Sequence, residues 1–318
     1  MDVIHSIQEA RGRLVGCTVA IGNFDGVHLA HRRLLETARE LAARRGAKTA
    51  LLTFEPHPAK VLSPEFAPPL ICDLPRKLVL LEELGLDAVI VQPFDWTFAA
   101  TSPQTFVRQG LIEAVGAAEI VVGYDFTFGK GRAGTPEVLA ELAGGDATVH
   151  TVEAVRRDGL VVSSSKIREL VLEGRVAPAA RLLGYPFVID GTVVPGRGRG
   201  RTIGVPTANV APSTELLPGA GVYAARAAVE GIEGTFAAAV NIGRKPTFGE
   251  EELTVEAHLI DADVDVYGRR MAVAFLERLR AEKRFSSADK LVAQIREDIE
   301  DARAIADRFA GLVLRACG

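Results

Sequence analysis

The hydrophobic rhythm of the chain changes once, and that change constrains the fold more than any single motif. Up to about residue 182, short apolar runs alternate with longer amphipathic stretches: CTVAIG (17–22), HRRLLETARELAARRG (31–46), TALLTF (49–54), RKLVLLEELG (76–85), DAVIVQPF (87–94), PQTFVRQGLIEAVG (103–116) and AEIVVGYDF (118–126). Runs of that kind are strands buried on both faces, and the amphipathic stretches are the helices that cover them. The spacing predicts a doubly wound α/β domain on a parallel sheet. After SSKIRELVLEG (164–174) the pattern becomes short strands between glycine-rich turns: FVIDGTVV, GVYAARAAV, TFAAAVNIG, LTVEAHLI and MAVAFLERL. A last amphipathic stretch, 286–309, opens on capping serines. An antiparallel β-barrel with a terminal α-helix is therefore expected to follow, with the boundary near LLGYPF (182–187) and domains of 1–183 and 184–318.

Composition agrees with two folded domains. The chain has 318 residues, 48% of them apolar and 25% charged, long enough for two cores and leaving no stretch too polar to fold. A formal charge of −4 argues against a large nucleic-acid surface, which needs clustered Lys and Arg to neutralise phosphates. Three cysteines, Cys17, Cys72 and Cys317, have no CxxC spacing, so neither a disulfide framework nor a zinc site is readable. The opening MDVIHSIQEARGR lacks the basic-then-apolar pattern of a leader, and no run of about 18 apolar residues occurs. The expectation is a soluble cytoplasmic protein with neither a membrane nor a nucleic acid as partner; oligomeric state is not legible.

Several loops carry chemistry. GNFDGVHLAH (22–31) falls where a strand hands over to a helix, at the carboxyl edge where α/β sheets bind ligands. Gly22 and Gly26 admit backbone N–H groups to a phosphate, and His28 and His31, three apart at a helix start, can point at one anion. Two histidines on a glycine turn are equally compatible with solvated residues. VVSSSKIREL (161–170) adds hydroxyls and the guanidinium of Arg168 at another helix start. GYDFTFGKGRAG (123–134) and TFEPHP (53–58) are further loops after strands. In the second half, GRGRGRTIGVPTANV (196–210) reads as a glycine-arginine loop running into a strand, able to lay amides and guanidinium groups on phosphates. The plain alternative for PTAN (206–209) is a turn whose Thr and Asn bond their own backbone. Glu256 interrupts the apolar pattern of LTVEAHLI; a strand glutamate is ordinarily an outward, solvated residue.

GNFDGVHLAH with SSSKIR resembles the two signatures of the Rossmann-like nucleotidylyltransferases. With TFEPHP and GYDFTFG between them, the order is similar to the FMN adenylyltransferase domain of bacterial bifunctional riboflavin kinase/FAD synthetases. The order GRGRGRTIGVPTAN, GVYAA (221–225), NIGRKPTFG (241–249), TVEAHL resembles the riboflavin kinase family. The resemblance implies two ATP- and Mg²⁺-dependent steps: riboflavin to FMN in the barrel, and FMN to FAD, with release of pyrophosphate, in the α/β domain.

By position in the motifs, His28 and His31 would stabilise the transferred phosphoryl. Gly22, Asn23, Phe24, Asp25 and Gly26 would line the ATP site, and Ser164, Ser165 and Arg168 would hold the outer phosphates. FMN would lie near Pro56, His57, Pro58 and Asp125. In the barrel, Gly196, Gly198, Arg199, Gly200, Arg201, Gly204, Pro206, Thr207 and Asn209 would hold ATP, Thr207 and Asn209 the Mg²⁺, and Glu256 would be the base. One departure stands out: the family usually has Gly where this chain has Ala30, a methyl close to the expected nucleotide. Two rival readings follow: a riboflavin kinase whose first domain only binds nucleotide or flavin, and an RNA-binding protein using the arginine-glycine loop.

Overall fold

A computed structural model of the chain describes residues 1–196, 205–246 and 251–317. It divides into two compact units, Met1–Pro68 with Lys77–Val162, and Pro69–Arg76 with Ser163–Gly318.

The first unit holds a six-stranded, all-parallel sheet: β1 (Asp2–Ile4), β2 (Cys17–Ile21), β3 (Thr49–Glu55), β4 (Ala88–Pro93), β5 (Ala117–Gly123) and β6 (Thr148–Val152), in the order β1-β4-β3-β2-β5-β6. A short hairpin, β7 (Arg156–Arg157) with β8 (Leu160–Val161), follows. The continuous apolar runs of the sequence are explained by burial on both faces. Val19, Ile21, Leu52, Ile90 and Ile120 pack on one face with Val107 and Leu111. The alternate residues Ala20, Leu51, Val89 and Val121 are buried on the other. Helix α1 (Leu29–Arg45) buries Leu34, Leu35, Ala38 and Ala42 and ends at Gly46, whose φ of 61° is the left-handed stop that glycine favours. The remaining helices up to residue 143 are α2 (Pro58–Leu62), α3 (Leu74–Glu82), α4 (Trp96–Ala99), α5 (Pro103–Thr105), which runs directly into the helical stretch Phe106–Val115, and α6 (Pro136–Ala143).

In the second unit, α7 (Ser164–Leu172) and α8 (Val176–Leu183) precede six antiparallel strands: β9 (Phe187–Val194), β10 (Ala208–Pro212), β11 (Gly221–Val229), β12 (Phe236–Pro246), β13 (Glu251–Leu259) and β14 (Arg270–Arg280). They close in the order β10-β13-β12-β11-β14-β9, with β9 pairing both β10 and β14. Phe187, Tyr223 and Phe275 pack in the buried core, with Tyr223 edge-on to Phe275. Closure needs Gly191, where a Cβ would overlap the Ala211 carbonyl of the crossing strand. Helix α9 (Ala288–Asp307) sets Ala302 and Ile299 against Ala224, Ala239 and Ile260 on the outer wall. The segment beyond it lays Leu312 and Leu314 on Val188, Ala272 and Ala274.

The architecture is the expected one, a parallel α/β sheet followed by an antiparallel barrel with a terminal helix. The compact units part at Val162/Ser163, so α7 and α8 lie in the second unit.

Candidate functional site

In the first unit, β2 sits where the chain turns toward β3 on one side while β5 lies on the other, the switch point of the sheet. GNFDGVH makes the turn that leaves β2, and its backbone is strained: φ is 49° at Phe24 and 38° at Val27, with Gly26 at 79°. A left-handed conformation at a phenylalanine and a β-branched valine costs about 1–3 kcal/mol each and persists only where packing enforces it. Both side chains are fully buried. The Asn23 carbonyl adds a second restraint, accepting from Thr53 Oγ1 at 3.1 Å and from Lys77 Nζ at 2.9 Å.

The turn delivers the two histidines to one place. His28 caps α1, its Nδ1 accepting from the His31 N–H at 3.4 Å, which leaves Nε2 as its proton-bearing nitrogen. The rings stack with centroids 3.5 Å apart, and the Phe24 ring lies 4.7 Å from His31. His31 Nδ1 is buried without a hydrogen-bond partner. Burial above all, then His28 and Lys77, hold the His31 pKa well below the usual histidine range. No acidic residue occupies the first turn of α1, so its N–H groups and dipole favour an anion. Ala30 takes ordinary helical backbone as the second residue of α1, so its methyl adds no backbone strain.

β3 and β5 flank β2, so the EPHP and YDF loops leave the same sheet edge on either side of the histidine turn. His57 caps α2, its Nδ1 accepting from the Ala59 N–H at 3.2 Å; Pro58 begins the helix, and Pro56 and Asp125 are exposed. Ser164 and Ser165 open α7, which Ser163 caps by accepting from the Lys166 N–H at 3.3 Å. Arg168 is buried, its Nε donating to the Pro69 carbonyl at 2.8 Å. These three belong to the second compact unit, the histidine turn to the first.

The barrel aligns a polar row across three strands. Asn209 of β10 pairs in register with Glu256 of β13, and Glu256 with Asn241 of β12. Register partners share a face. Because Val255 and Ala257 are buried, the row projects to the outer face of the barrel, where all three residues are half-buried. Gly196 lies against the Asn209 amide so closely that a Cβ there would overlap it. His258 Nδ1 donates to the Pro206 carbonyl at 2.7 Å and ties PTAN to β13. The half-buried Thr207 immediately precedes β10. Its hydroxyl and the Asn209 amide oxygen are hard donors, few in number, of the kind Mg²⁺ takes alongside nucleotide phosphates. Gly198, Arg199, Gly200, Arg201 and Gly204 lie outside the described residues.

Sequence reading did not single out Lys77, Asn241 or His258. Lys77 falls in a helical pattern with nothing to link it to a turn 54 residues earlier, and Asn241 and His258 gain their place only from strand register.

Two family models match the chain, one described as FAD synthetase over residues 11–166 and one described as riboflavin kinase over residues 183–306, which sets it among the enzymes that build flavin cofactors. It is 38% identical over 303 residues to the bifunctional riboflavin kinase/FMN adenylyltransferase of Bacillus subtilis (strain 168), covering 94% of both chains. The identity is the same with the protein of that description from Escherichia coli (strain K12), covering 94% of this chain and 95% of that one. The chain belongs to the bifunctional riboflavin kinase/FMN adenylyltransferase family. A crystal structure described as a macrolide-efflux protein from Streptococcus pneumoniae is also similar, with a TM-score of 0.87 and 32% identity over 95% of this chain and 99% of that one. Among the described residues no helix is long and apolar enough to cross a membrane.

Proposed function

We propose that the chain makes FMN from riboflavin and ATP at the polar row of the barrel, and FAD from FMN and ATP at the histidine turn, residues 1–183 serving the second reaction and 184–318 the first. The observation that carries the reading is the register that sets Glu256 directly beside Asn209 at the end of the PTAN segment.

In the kinase step the Glu256 carboxylate accepts the proton of the ribityl hydroxyl as that oxygen attacks the γ-phosphorus. The bond from the γ-phosphorus to the bridging oxygen breaks and ADP leaves. Thr207 and Asn209 hold Mg²⁺, which when bound neutralises charge on the ATP phosphates. Gly196, Pro206 and the 198–204 loop residues named above line the same nucleotide.

In the adenylyl step a phosphate oxygen of FMN attacks the α-phosphorus of ATP and pyrophosphate leaves. His28 directs Nε2–H, and α1 its first N–H groups, at the charge that develops there. Gly22, Asn23, Phe24, Asp25 and Gly26 shape the ATP site, and Pro56, His57, Pro58 and Asp125 border FMN. A cytoplasmic location belongs to the same proposal; it is supported by three buried cysteines, none of them in a disulfide.

The rival readings are not favoured. Identity to the bifunctional relatives extends over 94% of the chain, and Ala30 is unstrained in α1.

Separation of the two steps by mutation is the test. Glu256→Gln should lower FMN formation at least about 100-fold and leave conversion of added FMN to FAD at the parent rate. His28→Ala should do the reverse, with a loss of about 100- to 1000-fold. If Glu256→Gln keeps its kinase turnover, the base is elsewhere.

A further inference from the structure

Lys77 is the most conspicuous charged group that the motifs leave unused. Only 5% of it is exposed, yet the described residues place no carboxylate within ion-pair reach of its ammonium. Among the described residues its one hydrogen bond goes to the Asn23 carbonyl, which Thr53 shares. An ammonium carries three N–H donors, and burying one without a counter-charge is costly. Lys77 also stands near enough to disfavour a proton on His31, whose own Nδ1 is buried without a partner. With the start of α1, whose first turn carries no acidic residue, the cluster gathers several nitrogen groups at one end of the helix. Such a set suits an anion with several oxygen acceptors.

We infer that Lys77 is a phosphate-binding residue of the adenylyltransferase site, its ammonium meeting a phosphate oxygen of FMN or of ATP where the two ligands react. This rests on the adenylyl-transfer reading above. Lys77 thereby has two roles: it secures the strained turn through Asn23, and, after burial and His28, it adds to what disfavours a proton on His31. The same side chain that braces the turn also faces the histidines, so they are ordered before the nucleotide enters.

The experiment compares the full-length parent with Lys77→Met, Lys77→Gln and Lys77→Arg, reading FAD formation from added FMN and, in the same preparations, FMN formation from riboflavin. Binding of FMN and of an ATP analogue with an unreactive α,β linkage is measured separately by calorimetry. The expected result is a loss of FAD formation of roughly 10- to 100-fold for Met and for Gln. Partial recovery is expected with Arg, and FMN formation stays unchanged. Whichever of the two ligands binds more weakly identifies the phosphate that Lys77 holds. Lys77→Gln retains a donor for Asn23 and so also serves if the Met variant fails to fold. Near-parent FAD formation by Lys77→Gln would show that only the Asn23 contact matters and would overturn the inference, as would unchanged affinity for both ligands. A parent that forms no FAD would defeat the adenylyl-transfer reading by itself, and the two binding measurements would still decide Lys77.

Discussion

At the scale of single residues, the histidine turn is held against its local preferences. Phe24 and Val27 hold positive φ, and His31 is kept neutral by burial, His28 and Lys77. Unfolding releases that constraint, so the unfolded chain takes up a proton at His31 near the ordinary histidine value of about 6.5 while the folded chain resists it. The sign follows: stability is complete above that pH and declines as pH falls toward the depressed folded value. The parent should therefore lose up to about 1.4 kcal/mol per pH unit more than His31→Gln between roughly pH 6 and the folded pKa. Urea unfolding of the two proteins at stepped pH measures the difference; parallel curves would mean that His31 titrates normally. Glycine spacing and histidine placement in this loop were legible in the sequence because they are local. Lys77 was not, because it lies 54 positions along the chain from Asn23 and only the fold brings them together.

Among the elements, the strands of the sheet were readable because burial on both faces leaves uninterrupted apolar runs, as in TALLTF, which is β3. β1 has three residues and too little length for any period to show. In the barrel, period and turns located each strand, while register stayed hidden: nothing in NIGRKPTFG announces that Asn241 stands beside Glu256. Nor does FVIDGTVV announce that Asp190 is a buried anion. Arg76 meets it with two bonds, Nε to Oδ2 at 2.8 Å and Nη2 to Oδ1 at 2.6 Å, and Arg76 also donates to the Arg315 carbonyl while the Cys317 N–H donates to Asp190. Side-chain exposure is 5% and 1%. Removing one partner strands the other, so Asp190→Asn should destabilise this unit by about 3–5 kcal/mol. Chemical denaturation followed by fluorescence checks this, and a change under 1 kcal/mol would mean that water or backbone compensates Arg76.

Viewed as a whole molecule, the chain combines two folds, each with a polar set to which the proposal assigns one reaction: helix-start amides and histidines at the sheet, and Thr207, Asn209 and Glu256 at the barrel. Their shared substrate, ATP, and the identity of one product with the other's substrate give the pairing its chemical sense. The central claim is that both reactions run on this one chain. Its most direct test is to incubate the purified protein with riboflavin, ATP and Mg²⁺ and to separate riboflavin, FMN and FAD chromatographically over time. FMN should rise first and FAD follow as FMN is consumed. FMN that accumulates with no FAD, even after further ATP is added, would contradict the account.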